Sequence, residues 1–93
     1  MARTIERSSQ FKKDYKREVK GIYRMMLNDS LQNILNILVN DLPIPEKYAD
    51  HPLKGNWRTF RDCHLYPDLI LIYKKQGDRC LKLARLGSHS EIF

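Results

Sequence analysis

Three histidines fall in the second half of this chain of 93 residues: His51 within Asp50-His51-Pro52-Leu53-Lys54-Gly55, His64 within Arg61-Asp62-Cys63-His64, and His89 within Gly87-Ser88-His89-Ser90. Imidazole titrates near neutral pH, so two such groups can hold opposite protonation states and act together as acid and base. Asp62 and Asp68 belong to the same neighbourhood. Strand alternation puts Asp62 on the face of His64, and a short turn carries the chain from His64 back to Asp68. Beside a cationic surface, such a set suits cleavage of RNA without a metal. One group takes the proton of the 2′-hydroxyl, another protonates the departing 5′-oxygen, and arginine or lysine stabilises the charge growing on phosphorus. The 2′-oxygen is itself the nucleophile, so the protein need supply none. The bland alternative is that each histidine is simply solvated; the convergence of three with two aspartates speaks against it.

Other chemistries fit less well. The spacings between residues 51, 64 and 89 match no zinc motif, so neither a metal nor another cofactor is expected. Cys63 and His64 are strand neighbours facing opposite ways and cannot form a nucleophile–base pair. With Cys80, Cys63 makes a set too small for a disulfide framework, and both read as reduced thiols. Lys54, Arg58, Arg61 and Arg85 are candidate phosphate contacts, Arg85 in the more enclosed setting between Leu83 and Leu86. Trp57, Phe60, Tyr66 and Tyr73 read as packing. Phe93, in the tail, could stack on a nucleobase or fold back as an apolar plug.

The elements that must position these groups follow from period and punctuation. Ser8 and Ser9 are good N-caps, and Phe11, Tyr15 and Val19 recur every fourth residue, which predicts a helix over 9–20. Leu27, Leu31, Ile34, Leu35 and Leu38 predict a second over 23–40, joined to the first at Gly21 as a hairpin. Pro43 and Pro45 then open a long loop from Leu42 to Lys54, without apolar period. Arg3 to Arg7 reads as an edge-like strand with Ile5 alone facing inward. Trp57 to Leu65, Asp68 to Lys75 and Arg79 to Leu86 read as three more strands, separated by turns at Tyr66-Pro67 and Gln76-Gly77-Asp78. Leu69 to Tyr73 is apolar on both faces, as a central strand would be. The expected fold is α+β in the order βααβββ, a helix hairpin packed on a mostly antiparallel four-stranded sheet, in a single domain spanning 1–93.

Length and charge set the frame. So short a chain buries about 60–65% of its unfolded surface and has one modest core. Hydrophobic residues at 42% and charged residues at 30% mark a globular domain rather than a disordered one. No apolar run is long enough for a membrane span, and no secretory segment opens the sequence, so a cytoplasmic location is expected. Net charge is +6, distributed as +5 over residues 1–27, −3 over 28–50 and +4 over 51–93. If the two basic stretches meet, the face they form attracts phosphate backbones or acidic protein segments.

Four segments then carry a resemblance. Tyr48 to Gly55, with its DHPLKG run, Phe60-Arg61-Asp62-Cys63-His64, Pro67-Asp68 through Tyr73, and Arg85 through Phe93 together resemble the RelE/ParE superfamily of bacterial toxins, in its YafQ-like branch. The resemblance covers nearly the whole chain. It implies a ribosome-dependent mRNA interferase of a type II toxin–antitoxin system, acting in the ribosomal A site on a βααβββ microbial-RNase-like core. The family's histidines fall on His51, His64 and His89, its acidic positions on Asp62 and Asp68, and its tail aromatic on Phe93. Leu69 departs from the pattern, standing where the best-known member has a tryptophan. The implied roles are proton transfer by His64 and His89, with His51 orienting the phosphate or sharing the base role. The implied partners are mRNA, the ribosome and a cognate antitoxin that is acidic, DNA-binding and encoded alongside, with operator DNA reached only through that complex. The alternative is a binding module, or a ParE-like toxin acting on another target such as a gyrase.

Overall fold

The computed structural model describes residues 2–93. Helix α1 (Ser9–Glu18) starts where the Ser8 hydroxyl accepts a hydrogen bond from the Phe11 amide at 2.9 Å, the cap its sequence predicts. It stops near Val19, just before Gly21, rather than at residue 20. Helix α2 (Leu27–Val39) begins four residues later than its period predicts, because residues 22–26 form successive turns with no side-chain cap. Its stripe of Leu27, Leu31, Ile34, Leu35 and Leu38 is buried.

Five strands make one sheet: β1 (Thr4–Arg7), β2 (His51–Pro52), β3 (Arg61–Tyr66), β4 (Leu69–Gln76) and β5 (Cys80–Gly87), in the spatial order β1-β5-β4-β3-β2. Only β1 runs parallel to its neighbour, β5. The four-stranded expectation missed β2, a two-residue edge strand that carries a proline and has no period to read. The strand expected from Trp57 starts only at Arg61, because Gly55 at φ +66° opens a short 3-10 helix, Gly55–Trp57. The tail also differs from its expectation. It folds into a helical turn, α3 (His89–Ile92), whose capping box is formed by Ser88 and Glu91.

The two faces of β4 do different work. Leu69, Leu71 and Tyr73 join the core under the helix hairpin with Phe11, Leu31, Ile34, Cys63, Leu81 and Leu83. Ile70 and Ile72, fully buried as well, lie on the opposite face. Their cross-strand partners are His64 and Asp62 on β3 and Gly87 and Arg85 on β5. Those four residues therefore share a face with an apolar floor between them. A register shift between Ile72 and Tyr73 leaves Ala84 unpaired and turns Arg85 to that face while Leu86 stays in the core.

Candidate active site

The three histidines form a row. Ring centroids of His51 and His64 lie 6.1 Å apart, those of His64 and His89 5.8 Å, and the Phe93 ring follows His89 at 6.1 Å. Each arrives by a different device. His64 is a strand residue over Ile70. His51 comes from β2, in register with Asp62 across the strands. His89 is the first residue of α3, set there by the Ser88 cap.

Asp62 sits beneath the row with its side chain only 4% exposed, 3.0 Å from His51 Nδ1 and 3.7 Å from His64 Nε2. The His51 Nδ1–H is directed to the Ala49 carbonyl at 2.8 Å, so it makes no hydrogen bond to Asp62. Asp62 Oδ1 is left buried without a hydrogen-bond donor among the described residues. Burial over the isoleucine floor raises its pKa above the ordinary value; the nearby imidazoles oppose that shift without cancelling it. Asp68 behaves in the opposite way. It occupies the turn before β4 and accepts from both His89 Nδ1 at 3.0 Å and the His89 amide at 3.1 Å. These bonds lower its pKa. Asp68 lies near His64, as expected, but its hydrogen bonds go to His89 in the tail. With Nδ1 held, His89 presents Nε2 outward.

The candidate cations divide. Lys54 and Arg58 flank the 3-10 helix after β2 and are exposed. Arg61 holds Asp50 through Nε at 3.1 Å and Nη2 at 2.8 Å. Arg85 is engaged more deeply, its Nε 2.8 Å from the fully buried Asp14. Phe93 is more than half exposed at the end of the row, so it is not a buried plug.

Several supporting residues are invisible to sequence reasoning. Asp50 accepts from Arg61 and from the Tyr73 hydroxyl and so pins the segment that delivers His51. Ala49, at φ 49°, is strained for a residue with a Cβ and aims its carbonyl at His51. Asp14 accepts from Arg17, Arg85 and the Leu86 amide, and Arg17 continues to Glu91 of α3 at 2.8 Å. Most of these partners are distant in sequence, 11 residues apart for Asp50 and Arg61 and 72 for Asp14 and Leu86, so no local pattern records them. The one readable signal was Ser88-His89-Ser90-Glu91, the Ser-x-x-Glu signature of a helix start.

His51, Asp62 and His64 each place one ligand atom within 4.8 Å of the others, so folding assembles a potential metal trio that linear spacing does not show. Cys63 is fully buried on the core face, and burial first, then the Asp50 and Asp62 charges, push its thiol far up, so it offers no thiolate.

Residues 3–93 match the family described as bacterial toxin of type II toxin–antitoxin system, YafQ. The mRNA interferase toxin YafQ of Escherichia coli strain K12 is 42% identical over 92 residues, covering 98% of this chain and 96% of that one. Among solved structures, the toxin of the E. coli DinJ–YafQ complex is similar with a TM-score of 0.83 at 42% identity, covering 98% of each chain. A metal-bound toxin from Helicobacter pylori is similar with a TM-score of 0.83 at 45% identity, covering 100% of each chain.

Proposed function

The chain belongs to the YafQ family of type II toxin–antitoxin toxins, and from that premise we propose that its histidine row cleaves mRNA on the ribosome by metal-independent acid–base catalysis. It is an mRNA interferase, an endoribonuclease, and its partner is a cognate antitoxin. The observation that carries the mechanism is the row itself: three imidazoles at 6.1 and 5.8 Å over a buried carboxylate. His64 and His89 flank one phosphodiester. One accepts the 2′-hydroxyl proton as the 2′-oxygen bonds to phosphorus; the other donates a proton to the 5′-oxygen as the P–O5′ bond breaks. The products are a 2′,3′-cyclic phosphate and a 5′-hydroxyl, with no net proton change. Asp68 orients His89, Asp62 sets a carboxylate 3.0 Å from His51 Nδ1 and 3.7 Å from His64 Nε2, and His51 orients the phosphate.

Lys54, Arg58 and Arg61 guide the RNA backbone, and Phe93 stacks on a base next to the cut. Arg85 faces the site from its pairing with Asp14. A metal on the trio of His51, Asp62 and His64, which the metal-bound H. pylori relative suggests, would occupy two of the imidazoles, His64 of the proton-transfer pair among them, and stop proton transfer. The antitoxin is acidic to match the +6 charge, binds DNA, is encoded alongside, and brings the toxin to operator DNA only as a complex. The toxin acts in the cytoplasm, where mRNA and ribosomes are; among the described residues no helix is long and apolar enough to cross a membrane.

The test is single-turnover cleavage on programmed ribosomes by His51→Ala, His64→Ala and His89→Ala, across pH and with a chelator that spares magnesium. His64→Ala and His89→Ala should each lose about 10²–10⁴-fold, with a bell-shaped wild-type profile that the chelator leaves unchanged. Wild-type rates in all three variants would remove the site. Loss of activity with the chelator would remove the metal-independent route.

A further inference from the structure

A cavity of about 530 Å³ opens beside the histidine row, and the catalytic strand forms one of its walls. His64, Leu65, Tyr66 and Pro67 line that side, Ser30 and Asn33 of α2 line another, and Lys47, Tyr48 and Ala49 close the third. Its size falls within the ~300–1,000 Å³ of small-ligand sites. The lining combines an apolar surface at Leu65 and Pro67, a carboxamide at Asn33 with both donors and an acceptor, and an ammonium at Lys47.

The wall is held before any ligand arrives. Tyr66 and Ser30 share a hydrogen bond between their hydroxyls at 2.5 Å. The Tyr66 ring stacks on Tyr23 with centroids 4.6 Å apart and planes 6° from parallel. Ser30 and Asn33 stand three residues apart on α2, so they present to the same side. Lys47 Nζ lies over the neighbouring Tyr48 ring at 5.2 Å from its centroid, leaving the ammonium at the rim.

We propose that this cavity is a nucleobase subsite for the nucleotide adjoining the scissile phosphate, with Asn33 reading the base edge and Lys47 meeting its phosphate. The inference rests on the nuclease reading above, because a phosphodiester at His64 is what brings a base to the cavity mouth. An apolar slot for the ring face, one group able to donate and accept, and one cation are what a single-stranded nucleotide requires. Neither Asn33 nor Lys47 belongs to the proton-transfer set, so the subsite governs which codon is cut rather than whether cutting is possible.

The experiment measures single-turnover cleavage by the full chain on ribosomes whose mRNAs vary each position of the A-site codon in turn. Thermal unfolding of every variant is followed in parallel. Asn33→Ala, on the exposed side of α2, should unfold like wild type and flatten discrimination at one codon position by about tenfold. Lys47→Ala should raise the half-saturating toxin concentration on all codons alike. If wild type cleaves and Asn33→Ala keeps the same ranking of codons, the subsite is overturned while the nuclease stands. If wild type is inert on every programmed ribosome, the nuclease falls and the subsite with it.

Discussion

Asp62 places a charge where the fold gains least from it. A carboxylate buried over Ile70 and Ile72, with no donor for Oδ1, is held in place against its solvation, and its raised pKa is the sign of that cost. A group whose folded pKa lies above its unfolded one favours the fold most at acid pH, and that contribution is lost as pH rises through the folded value. At neutral pH ionised Asp62 therefore weakens the fold, a cost that its proposed role beside the imidazoles would account for. Asp62→Asn should be at least as stable as wild type at pH 7, by up to about 1 kcal/mol in urea unfolding. It should also cleave about ten- to a hundredfold more slowly. A variant that loses both stability and activity would show instead that the charge is structural.

At the scale of elements, α3 is a four-residue helix that places His89, and one turn of helix is not stable by itself. It is fastened by the Ser88–Glu91 box, by Arg17 to Glu91 at 2.8 Å, and by the Asp14 hub that also engages Arg85. A Cβ on Gly87 would lie 2.6 Å from Arg17 Nη2 and 3.2 Å from Glu91 Oε1. Gly87→Ala should therefore displace Arg17 and free α3, lowering cleavage about tenfold for a loss near 1 kcal/mol, as read by kinetics and melting together. Asp14→Asn cuts deeper, at about 3 kcal/mol, because it strands Arg85. Burial alone would raise the Asp14 pKa, but the bonds from Arg85 and the Leu86 amide and the Arg85 charge lower it overall. Its contribution is thus complete above 3.8 and lost as pH falls below that, so acid unfolding of wild type should be steeper than that of Asp14→Asn.

This level also separates what the sequence disclosed from what it did not. The two helices follow from the periodic stripe each buries, and the long strands from their apolar runs and the turns between them, while β1 offered only Ile5 facing inward. The histidines stood out through the rarity of their chemistry, and they meet in space. Strand β2, the shift that turns Arg85 and the Asp50 anchor of His51 depend on pairings between distant segments, which no window along the chain contains. The α3 cap lay in plain view at Ser88 and Glu91.

Over the whole molecule, charge decides how the target is approached. The +6 excess predicts affinity for the ribosome–mRNA complex that falls with salt. Lys54 and Arg58 are both exposed in the stretch following His51. Replacing both by alanine should raise the half-saturating concentration roughly tenfold near physiological salt and flatten its salt dependence, with the single-turnover maximum little changed. A salt slope equal to that of wild type would place the phosphate contacts elsewhere.

The parallel pairing of β1 with β5 bears on the moment of synthesis. Thr4 finds its sheet neighbour only in Cys80, so the edge closes across most of the polypeptide. A nascent chain that has emerged as far as β4 has its helix hairpin and central strands, yet its first strand waits without a neighbour and the imidazole at residue 89 has not been delivered. With His89 in the proposed proton-transfer pair, half-made copies would be unable to cut the message from which they are being translated, and an inhibitor produced alongside would have that interval in which to be ready.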